Sequence, residues 1–116
     1  MNRDPSSSIG ILMTRPMEES ILEHDFQDRE FRRAFFAEAL RLFTVGDTLT
    51  GKRTLRVYVN GTIGFVKLGA ALGKSPKSLM RMLSPEGNPR LRGFFEIVAY
   101  LQKIDKTVLT VHGIAA

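Results

Sequence analysis

The chain has 116 residues, 43% of them hydrophobic, and a formal net charge of +5 with an isoelectric point near 10.0; that length fits one domain with a modest core. It contains no cysteine, which excludes disulfides, thiolate metal sites and cysteine nucleophiles and fits a reducing, cytoplasmic setting. No apolar run approaches the roughly 20 residues a membrane span needs, and the opening MNRDPSSSIGILMTRP lacks the pattern of a signal peptide.

Residues 1–20 are rich in Ser, Pro, Arg and Met without periodicity and read as a flexible arm, leaving 21–116 as the folded part. From Asp28 onward the pattern changes. Phe31, Ala34, Phe35, Ala39, Leu42 and Phe43 recur at spacings of three and four, with Arg29, Arg32, Arg33, Glu38 and Arg41 on the other side, which predicts an amphipathic helix. Gly46 and Asp47 end it, and Asp47 or Thr48 caps the next element.

Residues 48–63, TLTGKRTLRVYVNGTI, support two readings. Leu55, Val57 and Val59 alternate ahead of Asn60-Gly61, so hairpin rules favour a strand. Leu55, Tyr58, Val59 and Ile63 also fit a helical stripe with Gly61 as its C-terminal cap. Residues 64–72, GFVKLGAAL, predict a short helix with Phe65, Leu68 and Leu72 inward, broken by Gly73. Ser75 is a good N-cap and Pro76 suits the first helical position, so another helix runs to Leu83 and halts before Pro85. SPEGNP is a turn. Leu91, Phe94, Phe95, Val98 and Leu101 mark a last helix. TVLTVHG (107–113) reads as a short strand, whose mate would be its copy in a second subunit.

Charge is divided unevenly along this order. Residues 1–47 carry nine acids against six bases, and residues 48–116 carry three acids against eleven bases. A basic back half suits a polyanion. The acidic stretch EESILEHDFQDRE (18–30) would suit a cationic protein partner or a helix start, and Arg3 and Arg15 would suit a minor-groove arm.

Two short helices with a glycine turn between them make a helix-turn-helix candidate. Gly69 is small where the first helix must let the second cross closely, and Gly73 supplies a turn requiring positive φ. Leu79, Met82 and Leu83 fall on the inner face. Lys77, Ser78, Arg81 and Ser84 fall on the outer one, with Ser75 and Pro76 at the tip that would enter a major groove. Arg81 is the candidate for a bidentate contact with guanine. Met80 reads as half-buried packing in preference to a thymine-methyl contact. Asn88, Arg90 and Arg92 open the last helix, where side chains and free amides suit a phosphate, or Asn88-Pro89 caps that helix.

The stretch YVNGTIGFVKLGAALGKSPKSLMRMLSPEGNPRLRGFFEIVAYLQ resembles the addiction-module antidote proteins, the HigA-like antitoxins of the wider Xre/Cro repressor group. The resemblance runs from about Leu55 to Val111 and is sharpest in GF..L...LG, S..SL.RML, GNP and V.LTV. It implies an all-α, lambda-repressor-like bundle of about five helices with a short C-terminal β-strand, and it favours a helix over 49–60. It also implies a homodimer on double-stranded operator DNA, autorepression, and a RelE-like toxin as partner. The residues that match the family's DNA-contacting positions are Ser75, Lys77, Ser78 and Arg81, with Asn88, Arg90 and Arg92 on the backbone. A stand-alone regulator and a protein-interaction module are the alternatives. RNA reading is less suited, because Tyr58 and Tyr100, the two tyrosines, both read as buried and leave few aromatics for stacking.

Enzymatic chemistry has little to work with. His24 and His112 lack metal-ligand spacing, Glu18-Glu19 reads as a surface pair, and the glycines of GTIGFVKLGAALGK do not follow the phosphate-loop order. The expectation is a non-enzyme without cofactor or metal.

Overall fold

The computed structural model describes residues 23–116. The arm expected over residues 1–20, with Arg3 and Arg15, lies outside them, as do residues 18–22 of the acidic stretch. Among the described residues the fold is all-helical: a 3-10 turn (Glu23–Gln27) precedes five α-helices, α1 (Arg29–Thr44), α2 (Thr48–Gly61), α3 (Phe65–Leu72), α4 (Pro76–Met82) and α5 (Leu91–Ile104).

α1 begins where Asp28 accepts hydrogen bonds from the amides of Glu30 and Phe31 at 2.9 and 3.2 Å, satisfying two of the donors a helix start leaves open. It buries Phe35, Phe36, Ala39 and Leu42, and on its outer face Arg41 forks Glu38 at 2.9 and 2.6 Å. Asp47 caps α2 in the same manner, through the Thr50 amide at 3.1 Å.

The ambiguous segment is therefore a helix. Gly51, Thr54, Leu55, Tyr58 and Val59 are buried, a spacing of three and four that α2 turns onto α1. Tyr58 stacks on Phe36 with ring centroids 4.8 Å apart. A strand would send Leu55, Val57 and Val59 to one face and leave Tyr58 on the other. The cap expected at Gly61 is corrected. Gly61 stays inside the helix, Thr62 caps it, and a Cβ on Gly61 would stand 2.4 Å from the Phe26 ring. What Gly61 supplies is room, since positive φ falls three residues later, at Gly64.

Tyr58 is buried, and loss of hydration, reinforced by the Asp105 carboxylate, pushes its hydroxyl above the usual phenol range. In the unfolded chain the same hydroxyl ionises near pH ~10. Above that pH the unfolded state releases a proton that the folded state retains, so stability should fall as pH rises. Denaturant melts at pH 9 and pH 11 check this, and a Tyr58→Phe variant should show a shallower fall. Tyr100, also expected to be buried, is only partly so.

α3 and α4 are joined through Gly73, which adopts φ +66°, as a left-handed turn demands. Gly69 lies fully beneath that turn: a Cβ there would sit 2.5 Å from the Lys74 carbonyl oxygen. Gly69→Ala should cost about 1–2 kcal/mol net, the overpacking penalty partly offset by alanine's helix propensity. Thermal unfolding checks the size, and an unchanged midpoint would mean that the turn has room to move.

Residues 107–116 have no regular secondary structure in the single chain, so the strand expected at 107–113, with its mate in a second subunit, is not formed within one copy. A strand needs a partner edge, and the Leu109 amide instead donates to the Gln102 side chain at 2.8 Å. The tail leaves α5 at a fixed point. Lys106 takes φ +51°, with its own amide on the Lys103 carbonyl and the Thr107 amide on that of Gln102, the paired bonds of a Schellman ending. Asp105, buried, receives Arg32 Nε at 2.5 Å and the Thr107 hydroxyl at 2.9 Å, while Arg32 also donates to the Phe26 carbonyl at 2.9 Å. These bonds tie the end of α5 to the start of α1.

The core itself is one cluster built from all five helices. Phe35, Phe36, Leu55, Tyr58, Leu68, Leu79, Leu83, Ile97 and Leu101 are almost entirely shielded from solvent. Leu79 and Leu83 anchor the short α4, which at seven residues is too short to persist without tertiary packing.

Candidate nucleic-acid interface

α4 carries the densest group of the expected contact residues. Ser75 caps it: its hydroxyl accepts from the Ser78 amide at 3.1 Å and pairs with the Ser78 hydroxyl at 2.8 Å. Pro76 opens the helix without needing a partner for an amide. Leu79 and Leu83 turn fully inward, and Lys77, Ser78 and Arg81 are exposed. Neither Lys77 nor Arg81 has a side-chain hydrogen bond or ion pair among the described residues. Met80, one residue past the buried Leu79 and so at the edge of the inner face, is half-buried, with 44% of its area exposed.

The chain then folds back sharply. The Ser84 amide and hydroxyl both bond to the Arg81 carbonyl, at 3.2 and 2.8 Å, and the Gly87 amide bonds to the Ser84 carbonyl at 3.0 Å. Gly87 passes so close that a Cβ there would meet the Arg81 carbonyl oxygen at 2.1 Å. Between α4 and this turn runs an open groove of about 550 Å³, with Ser78, Arg81 and Met82 on the helix side and Ser84, Glu86, Gly87, Asn88 and Pro89 on the turn side. The structure thus brings Ser78, Arg81 and Asn88 to one groove. Ser75 and Lys77 lie on the neighbouring N-terminal part of α4, and Arg90 and Arg92 at the start of α5. Glu86 places one carboxylate on the rim.

The start of α5 differs from those of α1 and α2. Arg90 is its N-cap residue and offers no side-chain acceptor, and its first turn holds no acid. The capping role considered for Asn88-Pro89 is therefore corrected; Asn88 is exposed and stands before the cap. Instead of a carboxylate, exposed Arg90 and Arg92 flank the positive end of the helix. Arginine there is unfavourable in isolation and becomes favourable with an external anion. Lys74 approaches Glu96 of α5 at 3.9 Å, a partly exposed pair of little energetic weight.

Two basic residues of the back half have other work. Lys52 of α2 is 7% exposed, and its Nζ donates to the carbonyls of Pro85 and Gly87 at 3.1 and 2.6 Å. Arg56, one turn later, donates to the Leu83 carbonyl at 2.9 Å. Sequence reasoning missed both. The available signal was their spacing of four, which places them together on one flank of α2 once that segment is read as a helix.

A second groove, of about 560 Å³ and mainly apolar, lies between α1, α5 and the tail, lined in part by Leu40, Phe43, Phe94, Phe95, Val98 and Val111. Phe95 remains 51% exposed beside it. No group of three or more His, Asp or Glu among the described residues could hold a metal, and no described helix is long and apolar enough to cross a membrane.

No protein-family model matches the chain, and no curated protein and no solved structure matches it.

Proposed function

We propose that the chain is a sequence-specific DNA-binding regulator in which α3 and α4 form a helix-turn-helix and α4 enters the major groove. The observation that carries this reading is α4 itself: a short helix, pinned by Leu79 and Leu83, whose outer face holds unpaired Lys77 and Arg81 beside the basic, acid-free start of α5. In this reading Arg81 reads a base edge, Ser78 and Asn88 border it, and Ser75, Lys77, Arg90 and Arg92 meet the phosphate backbone. Among the described residues no aromatic lines the groove beside α4, which supports duplex DNA over single-stranded RNA.

The experiment is selection of duplexes from a random pool, followed by binding to the selected and an unrelated duplex across a salt series. Enrichment of a sequence, with affinity falling steeply in salt, is the expected result. No enrichment together with no salt-dependent binding overturns the reading.

The resemblance to HigA-like antitoxins extends the proposal to a homodimer on a two-fold operator and to neutralisation of a RelE-like toxin. The apolar groove beside the unpaired tail, where Val108 and Val111 are exposed, gives a second copy a surface to cover. Sedimentation of the full chain tests dimer formation, and co-expression with the neighbouring gene's product tests the toxin.

A further inference from the structure

We infer that Lys52 and Arg56 are positioning residues that set the width of the α4 groove, an inference that rests on the DNA-binding reading above. They do so without touching the nucleic acid. Between them the two side chains bind the carbonyls of Leu83, Pro85 and Gly87. These are carbonyls at and just beyond the C-terminal end of α4, the negative pole of that helix. The same turn forms one wall of the groove, and Arg81 stands on the other.

The chemistry of Lys52 argues for a specific task. The residue is 7% exposed, and its ammonium faces no carboxylate among the described residues. Burying such a charge is unfavourable unless polar atoms replace its hydration. Here two backbone carbonyls do so, and a third is taken by Arg56. Methionine could fill the same volume without that desolvation cost but could not hold the turn. The turn has no spare freedom on its other side, since Gly87 already abuts the Arg81 carbonyl. Releasing Lys52 therefore lets Asn88 and the start of α5 drift relative to Arg81, which spoils simultaneous contact with base and backbone.

Lys52 and Arg56 would then be basic residues that release no counterions on binding, which separates them from Lys77. The test uses the full chain with Lys52→Met. Two measurements are made: amide hydrogen exchange at Ser84 and Gly87, and affinity for a duplex selected by the wild type and for an unrelated duplex, each across a salt series. Expected are faster exchange confined to the turn and a loss of about tenfold or more on the selected duplex. Affinity for the unrelated duplex should stay within about twofold, and its salt slope should not change. A slope lowered by about one would show that Lys52 reaches a phosphate and would overturn the inference. So would an unchanged affinity for the selected duplex, an equal loss on both duplexes, or unaltered exchange at the turn. Where Lys52→Met does not fold, Arg56→Met, which removes the single bond to Leu83, carries the same measurements. Wild-type protein that binds neither duplex defeats the DNA-binding reading instead, and the exchange data then decide the clamp by themselves.

Discussion

Asp105→Ala should be among the most damaging single substitutions to the fold, lowering stability by about 2–3 kcal/mol. Breaking a buried ion pair by removing one partner costs roughly 3–5 kcal/mol, because the remaining charge stays buried without compensation. The Arg32 side chain keeps 23% of its area in solvent against 5% for that of Asp105, so water recovers part of that loss. The damage is compounded by the Thr107 hydroxyl, which also bonds to this carboxylate. In a domain of this size the midpoint should drop by roughly 10–15 °C. Asp105→Asn keeps an acceptor for Arg32 and should lose about half as much. Calorimetry on both variants checks the order; equal, small losses would mean that the pair contributes only packing.

Arg81→Ala should leave the fold intact and weaken recognition. Its guanidinium makes no bond within the described residues, its backbone carbonyl keeps all its partners, and alanine is a strong helix former. The cost should be about 1–3 kcal/mol on the selected duplex, a fall of roughly fivefold to 150-fold, with relaxed preference at one base pair. Lys77→Ala provides the contrast. It should weaken selected and unrelated duplexes alike and lower the salt slope by about one. Competition binding on the two duplexes separates the two behaviours. Variants that both bind as the wild type does would remove α4 from the interface.

Much of this architecture was legible because it is local. The caps Asp47 and Ser75, the proline at the first position of α4, the left-handed Gly73 and the tight approach at Gly69 each follow from what a residue type can do at one position. Over 48–61 two local readings competed, and the helix favoured by the resemblance is the one that forms. Asn60-Gly61 looks like a hairpin turn, yet Gly61 is small because the Phe26 ring lies against it, a contact between residues 35 positions apart. TVLTVHG has strand composition, but within one chain it finds no second edge. Of the candidate interface, the outward direction of Lys77 and Arg81 and the half-buried place of Met80 were readable from helical spacing. The Lys52 and Arg56 bonds were out of reach, since backbone carbonyls 27 to 35 residues away carry no sequence signature.

The seclusion of Lys52 has a practical consequence for chemical footprinting. Acylating reagents attack unprotonated amines that solvent can reach, so they should modify Lys67 and Lys77 while sparing Lys52. Mass spectrometry of the labelled chain would then hold its own internal reference. A spared Lys52 certifies that the scaffold is intact, and any shielding of Lys77 on adding a ligand reports occupancy of that face alone.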